Sequence, residues 1–196
     1  MVYDLKKEGK THVISGFGKY KSSAAFGTVL RGINQNWKIL IVQFLKGQKS
    51  GEIQIFEDYF SENVTILRYG VDKIVLPDNA TELDRTETQR GWAEMLNELK
   101  RGKEVNKIRV INGNSVYEGI KSYDLLVLDE VLPAVDLKLL TQKQLFDLLE
   151  DRPVGLEIIC TGRVTNRSFM DNLTNKSNLH SDIVCKRHYF SCKCPS

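Results

Sequence analysis

THVISGFGKYKSSAAFG, residues 11–27, decides the fold. The run THVISG (11–16) is short, apolar and ends in glycine, as a buried strand does at its exit. A turn follows with Gly16 and Gly18, and then Lys21, Ser22 and Ser23. From residue 21 to 34 the apolar residues Ala24, Ala25, Phe26, Val29, Leu30 and Ile33 recur at helical spacing along one broad face. Strand, glycine turn and helix in this order predict an α/β unit.

Working outward, further apolar runs appear: KILIVQF (38–44), NVTILRYG (63–70), YDLLVLDE (123–130), GLEIICTG (155–162) and, more weakly, DIVCKRHYF (182–190). Most are nearly continuous in Val, Ile and Leu, which marks strands covered on both faces. Helical stretches lie between them. Residues 80–103 place Leu83, Trp92, Met95, Leu96 and Leu99 on their apolar side. Residues 141–150 open on Thr141, a good N-cap, and bury Leu145, Leu148 and Leu149. The expectation is an α/β fold: a mostly parallel sheet of about six strands, helices on both faces, in a single domain over residues 1–196. Residues 104–122 read as an excursion, with KIRVI as a short edge strand and INGNS as a turn.

The glycine turn has the geometry of a phosphate loop. Such a loop exposes backbone N–H groups at the positive end of a helix, with a lysine as point charge and a hydroxyl for magnesium. Lys21 falls at the lysine position and Ser22 at the hydroxyl. Ser15 and Tyr20 stand where the general pattern has glycine. The motif alone leaves two readings open: a phosphate cradle, or an ordinary strand-to-helix turn with solvated lysines. LLVLDE adds a second element. It puts Asp129 and Glu130 at the C-terminal end of a buried strand, the edge where open parallel sheets bind ligands. Either carboxylate could hold magnesium opposite Ser22, or cap a helix or form a surface ion pair.

At this point the sequence resembles a family. GFGKYKSSAAFG, QFLKG (43–47) with GE (51–52), LDEV (128–131) and RPVGLEIICTGR (152–163) follow the order and rough spacing of ATP:corrinoid adenosyltransferases of the CobA/BtuR type. The resemblance implies a P-loop NTPase-like, RecA-like domain, usually a homodimer, that takes ATP and Mg2+ with a reduced corrinoid such as cob(I)alamin. In that reaction Co(I) attacks the 5′ carbon of ATP, forming adenosylcobalamin and releasing triphosphate. A flavoprotein reductant is the implied source of Co(I). No catalytic nucleophile is needed; Lys21 and Glu130 would give electrostatic support. The resemblance assigns Gly16, Phe17, Gly18, Lys19, Tyr20, Lys21, Ser22, Ser23, Arg31 and Lys46 to the nucleotide. It assigns Ser22, Glu130 and Asp129 to the metal. Two departures stand out. Tyr20 replaces a glycine, and Gly70, Val71, Asp72, Lys73 and Ile74 stand where many members carry Gly-Phe-Thr-Trp-Glu.

Other features have plainer readings. Trp92 lies on the apolar side of a helix and reads as core; Trp37 covers a strand end; His12, in the first strand, reads as a packed or exposed residue rather than a ligand; Phe17 is a lid or an anchor of the turn. Cys185, His188, Cys192 and Cys194 match no common zinc spacing. With 28 Lys and Arg against 25 Asp and Glu, the charge of +3 is too mild to suggest nucleic acid. No apolar run approaches the ~20 residues of a membrane span, so no membrane partner is expected and the cytoplasm is the expected location. Three functions remain in view: a corrinoid adenosyltransferase, a non-catalytic relative that binds nucleotide or corrinoid, and a P-loop nucleotide hydrolase.

Overall fold

The computed structural model describes residues 9–101, 107–111, 114–118, 123–153 and 155–184, without the side chains of 101–122. The chain order is β1 (Thr11–Ser15), α1 (Lys21–Ile33), β2 (Ile39–Gln43), α2 (Gly51–Tyr59), β3 (Val64–Arg68), α3 (Glu82–Arg101), β4 (Lys107–Ile111), β5 (Asn114–Glu118), β6 (Leu125–Asp129), α4 (Val131–Asp136), α5 (Gln142–Glu150), β7 (Glu157–Thr161), α6 (Arg167–Lys176) and β8 (Leu179–Asp182). Six strands form one sheet in the order β3-β2-β6-β7-β1-β8, and every pairing in it is parallel.

Side chains alternate across the sheet, so each strand feeds two cores. Ile14, Ile39, Ile41, Leu125, Val127 and Ile159 face α1 and α2, where Phe26 and Phe56 meet edge to face at 5.7 Å. Val13, Leu40, Val42, Leu126, Leu128 and Cys160 face α3, α4, α5 and α6. This two-sided burial is why the strands read as continuous apolar runs. Trp92 is core as expected, 5% exposed and stacked at a tilt on Phe44. Trp37 is half-buried against the first of these cores. Thr141 caps α5 in a reciprocal box: its hydroxyl accepts from the Gln144 N–H at 3.1 Å, and the Gln144 side chain accepts from the Thr141 N–H at 2.9 Å.

Several expectations need correction. The sixth strand is β8 at 179–182, earlier than expected; residues 185–190 of DIVCKRHYF, like Cys192 and Cys194, lie outside the described residues. LHSD has no apolar run because β8 is a sheet edge with one neighbour, β1. KIRVI is a strand but not an edge of the main sheet. It pairs antiparallel with β5, which takes up Asn114 and Ser115 of the expected turn. The helices α2, α4 and α6 were not foreseen; α2 buries only Ile53 and Phe56, α4 buries four of its six residues but is too short to show a helical period, and α6 buries only Phe169 and Leu173. Apolar faces are also narrower than the pattern implied. Leu30 and Leu83 are 49% and 57% exposed, Ala24 is exposed too, and α1 buries Ala25, Phe26, Val29 and Gly32.

Candidate functional site

The chain leaves β1 for α1, crossing β7 and β6 on its way to β2. The C-terminal ends of β1, β2, β6 and β7 therefore share one edge with the N-terminus of α1. There the sequence ends its apolar strands on polar residues: Gln43, Asp129 and Thr161, all fully buried. The register sets Gln43 opposite Asp129 across β2 and β6.

Asp129 is the hub. Its Oδ1 accepts from Ser22 Oγ at 2.7 Å and from Thr161 Oγ1 at 2.7 Å. Its Oδ2 accepts from Gln43 Nε2 at 2.8 Å and Lys46 Nζ at 2.6 Å. A carboxylate has about four lone-pair sites, so all are used. Burial works to raise its pKa, but the Lys46 charge and the hydrogen bonds from Lys46, Thr161 and Gln43 outweigh it, and the group sits below its ordinary value. Glu130 follows with a left-handed backbone (φ 59), and its N–H donates to Thr161 Oγ1 at 3.1 Å. Burial and the neighbouring Asp129 charge push its carboxyl pKa up.

A cavity of about 800 Å³ opens over this edge. Gly18, Lys19, Tyr20, Lys21, Ser22 and Ser23 form one wall, and Lys46, Glu130 and Arg163 another. The third wall is Lys73, Ile74, Val75 and Leu76. Lys19, Lys21 and Arg163 share these walls with Glu130, while Lys46 and Lys73 are already paired with buried Asp129 and Asp84; the remaining surplus of cations suits a polyanion. Lys21 is 7% exposed and donates to the Gly18 carbonyl at 2.6 Å, curled into its own loop. Burial lowers its pKa, with Glu130 partly opposing.

Of the residues expected at the nucleotide, Gly18 to Ser23 and Lys46 line this cavity. Gly16 and Phe17 lie off its wall, Phe17 48% exposed. Arg31 is exposed near the far end of α1, ~15 Å of helix from Lys21. Asp129 sits beneath the wall and reaches the cavity through Ser22 and Lys46. Tyr20 is left-handed (φ 77) and the residue is 69% exposed, so the backbone makes the turn without glycine. Residues missed by sequence reasoning are Gln43, Thr161, Arg163 and Lys73. The first three sit in QFLKG and TGR, where a polar residue ending an apolar strand was the available signal. Lys73 gave none; its ammonium pairs with buried Asp84 at 2.8 Å and pins the third wall.

The loop glycines answer to β8. A Cβ on Gly16 would lie 2.4 Å from Asp182 Oδ1 and from the Ile183 carbonyl. One on Gly18 would lie 2.7 Å from that carbonyl. The Gly18 N–H donates to the Ile183 carbonyl at 2.8 Å, and the Ile183 N–H to the Ser15 carbonyl at 2.9 Å. Ser15 Oγ donates to Asp182 at 3.3 Å and also contacts His180 Nε2 at 2.8 Å. Ser15 at the head of the loop is thus a tie to the edge strand. His12 bonds Ser181 Oγ at 3.0 Å in the same strip.

A family model described as ATP:corrinoid adenosyltransferase BtuR/CobO/CobP matches residues 7–196. The chain belongs to that family. With it comes the P-loop NTPase fold, which the all-parallel sheet and the β1–loop–α1 unit display. Among similar proteins, "Uncharacterized protein all2391" of Nostoc sp. (strain PCC 7120) is 33% identical over 187 residues, 90% of this chain and 44% of that protein. The "Corrinoid adenosyltransferase" of Escherichia coli K12 is 27% identical over 174 residues, covering 85% of this chain and 74% of the relative. "Corrinoid adenosyltransferase CobA" of Salmonella typhimurium LT2 is 26% identical over 175 residues, 89% and 78%. The chain thus spans less than half of the Nostoc protein's length and about three quarters of the enterobacterial ones. No helix among the described residues is long and apolar enough to cross a membrane.

For this adenosyltransferase family member the donor set also suits a hard cation. Ser22 Oγ, Asp129 and Glu130 are oxygen donors, and the Lys46 ammonium already stands between two of them. Gln43 Oε1, beside Asp129, is buried without a hydrogen-bond partner. No group of three or more His, Cys, Asp or Glu side chains converges among the described residues. Phosphate and water oxygens would therefore complete the shell, as is usual for magnesium.

Proposed function

We propose that the chain transfers the 5′-deoxyadenosyl group of ATP to the cobalt of a reduced corrinoid. The observation that carries this reading is the cation-lined cavity at the strand edge, with the apolar side chains of Ile74, Val75 and Leu76 on its third side. The electron pair of Co(I) forms the cobalt–carbon bond while the C5′–oxygen bond breaks and triphosphate departs with that bond's electrons. Lys19, Lys21 and Arg163 hold the triphosphate as charge gathers on the leaving oxygen, and the α1 N-terminus adds its dipole. Ser22 with Asp129 or Glu130 would hold Mg2+, which neutralises phosphate charge when bound. Ile74 and Leu76, 80% and 49% exposed beside the cavity, offer the corrinoid an apolar surface where other members use aromatics. A water-poor contact there eases loss of cobalt's oxygen-donor ligand. The remaining roles are positional, bringing two reactants into line. The homodimer and the flavoprotein reductant belong to the same proposal.

Anaerobic incubation with MgATP and chemically reduced cobalamin tests it, read by the absorbance change of the cobalt–carbon bond. Adenosylcobalamin should form with triphosphate as co-product. Bound MgATP without transfer would reduce the chain to a binding relative. Orthophosphate release without corrinoid would make it a hydrolase.

A further inference from the structure

The ammonium of Lys46 sits where a cation belongs. It donates to Ser22 Oγ at 3.0 Å and to Asp129 Oδ2 at 2.6 Å, and it is the one cationic donor among the four groups bonded to that fully buried carboxylate. A buried carboxylate without a counter-charge is strongly disfavoured. The Lys46 side chain is nonetheless 27% exposed and lines the cavity. Its main chain is fixed: Lys46 N–H donates to the Tyr69 carbonyl at 3.3 Å, and Gly70 has no room for a Cβ beside Lys46 N. Only the flexible four-carbon stem is free to move.

We propose that Lys46 is the built-in counter-ion of the divalent-cation position, exchanged for the metal when the metal nucleotide enters. Two cations cannot share this pair of oxygens, because like charges repel strongly at ~3–4 Å in a partly buried site. A metal taking a Ser22 lone pair displaces the ammonium. The ammonium then swings on its stem toward the phosphates in the same cavity. Ser22 keeps its own hydrogen bond to Asp129 throughout, and Gln43 and Thr161 hold the carboxylate in place. The nucleotide-free protein therefore has low affinity for bare metal, and a lysine is delivered to the triphosphate only when metal arrives with it.

The inference rests on the proposed magnesium–nucleotide reading, but its test uses neither nucleotide nor corrinoid. Mn2+ is titrated into the full chain and free Mn2+ is read by its paramagnetic resonance signal. Thermal midpoints are taken in parallel with and without Mn2+. Lys46→Met should bind Mn2+ at least tenfold more tightly than the wild type. It should melt lower without metal and recover with it, while the wild-type midpoint stays unmoved. Lys46→Arg, which keeps the charge, should behave as wild type. Lys46→Gln, neutral but able to donate to Asp129, should repeat the gain and serves if the Met variant does not fold. Unchanged Mn2+ affinity in both neutral variants overturns the proposal, as does an equal gain in the Arg variant. A wild type that transfers no adenosyl group overturns the proposed function and leaves a positive Mn2+ result standing. An active wild type with metal-insensitive neutral variants overturns the counter-ion alone.

Discussion

Replacing Tyr20 by glycine and, separately, by alanine separates backbone strain from side-chain contact. Tyr20 is held at φ 77, ψ 8 immediately before α1, with no side-chain capping bond, and the residue is 69% exposed. A left-handed backbone costs an L-residue about 1–2 kcal/mol. Glycine escapes that cost but loses about 0.4–1 kcal/mol more on ordering from the unfolded chain. Tyr20→Gly should therefore stabilise the protein by about 0.5–1 kcal/mol, which is about 1–4 °C in Tm for a chain of this size. Tyr20→Ala keeps the strain and discards a largely solvated ring, so it should lie near wild type and below glycine. Urea unfolding of the three proteins reads the order. An alanine variant as stable as the glycine variant would refute a left-handed residue 20. ATP titration gives a second reading. With the residue largely exposed, affinity should change less than about threefold, because charge-assisted contacts to phosphate come from the backbone and lysines. A tenfold tightening in Tyr20→Gly would mean that the ring closes over the cavity.

Gly18→Ala should destabilise by about 1–3 kcal/mol, the usual range for forced overpacking, because its Cβ meets the Ile183 carbonyl at 2.7 Å and Cγ2 at 2.8 Å. Unchanged stability by denaturation would mean that β8 does not brace the loop. Lys21→Ala should weaken triphosphate binding by about 1.5–3 kcal/mol in calorimetry, and no loss would remove Lys21 from the site. Glu130 has a folded pKa above its ordinary 4.5, so between those values the native state binds more protons than the unfolded chain. Its contribution to stability should fall as pH rises through that window. Urea midpoints of Glu130→Gln should lack this component, and an identical pH profile would contradict it. Asp129 is shifted the other way, so its contribution is present above its ordinary 3.8 and is lost as pH falls through the folded value.

Strand and helix identities were legible where burial is two-sided or the caps are local. ILIVQ and LLVLD are buried at every position, and the Thr141 box lies within four residues. The loop, Lys21, Ser22 and the two acidic residues were legible because a strand ending in glycine or aspartate before a helix is a short-range pattern. Long-range pairing was not. LHSD is a strand because β1 offers it a free edge, and nothing within four residues signals that. The role of the glycines was half legible. Their need for space shows in the sequence, but what fills that space is Asp182 and Ile183, more than 160 residues away. Lys46 belongs with this second group. Its place in QFLKG suggested a nucleotide contact, while its bond to Asp129, 83 residues on, required β2 and β6 to lie side by side.

The sequence by itself determined the alternating α/β plan and the phosphate-loop order of strand, glycine turn, lysine and serine, since these depend on periodicity and neighbours. Only the tertiary structure decided which side chain neutralises Asp129 and what braces the loop. Those follow from the order β3-β2-β6-β7-β1-β8. A chain's local pattern specifies what each segment buries, but not which distant segment comes to lie beside it.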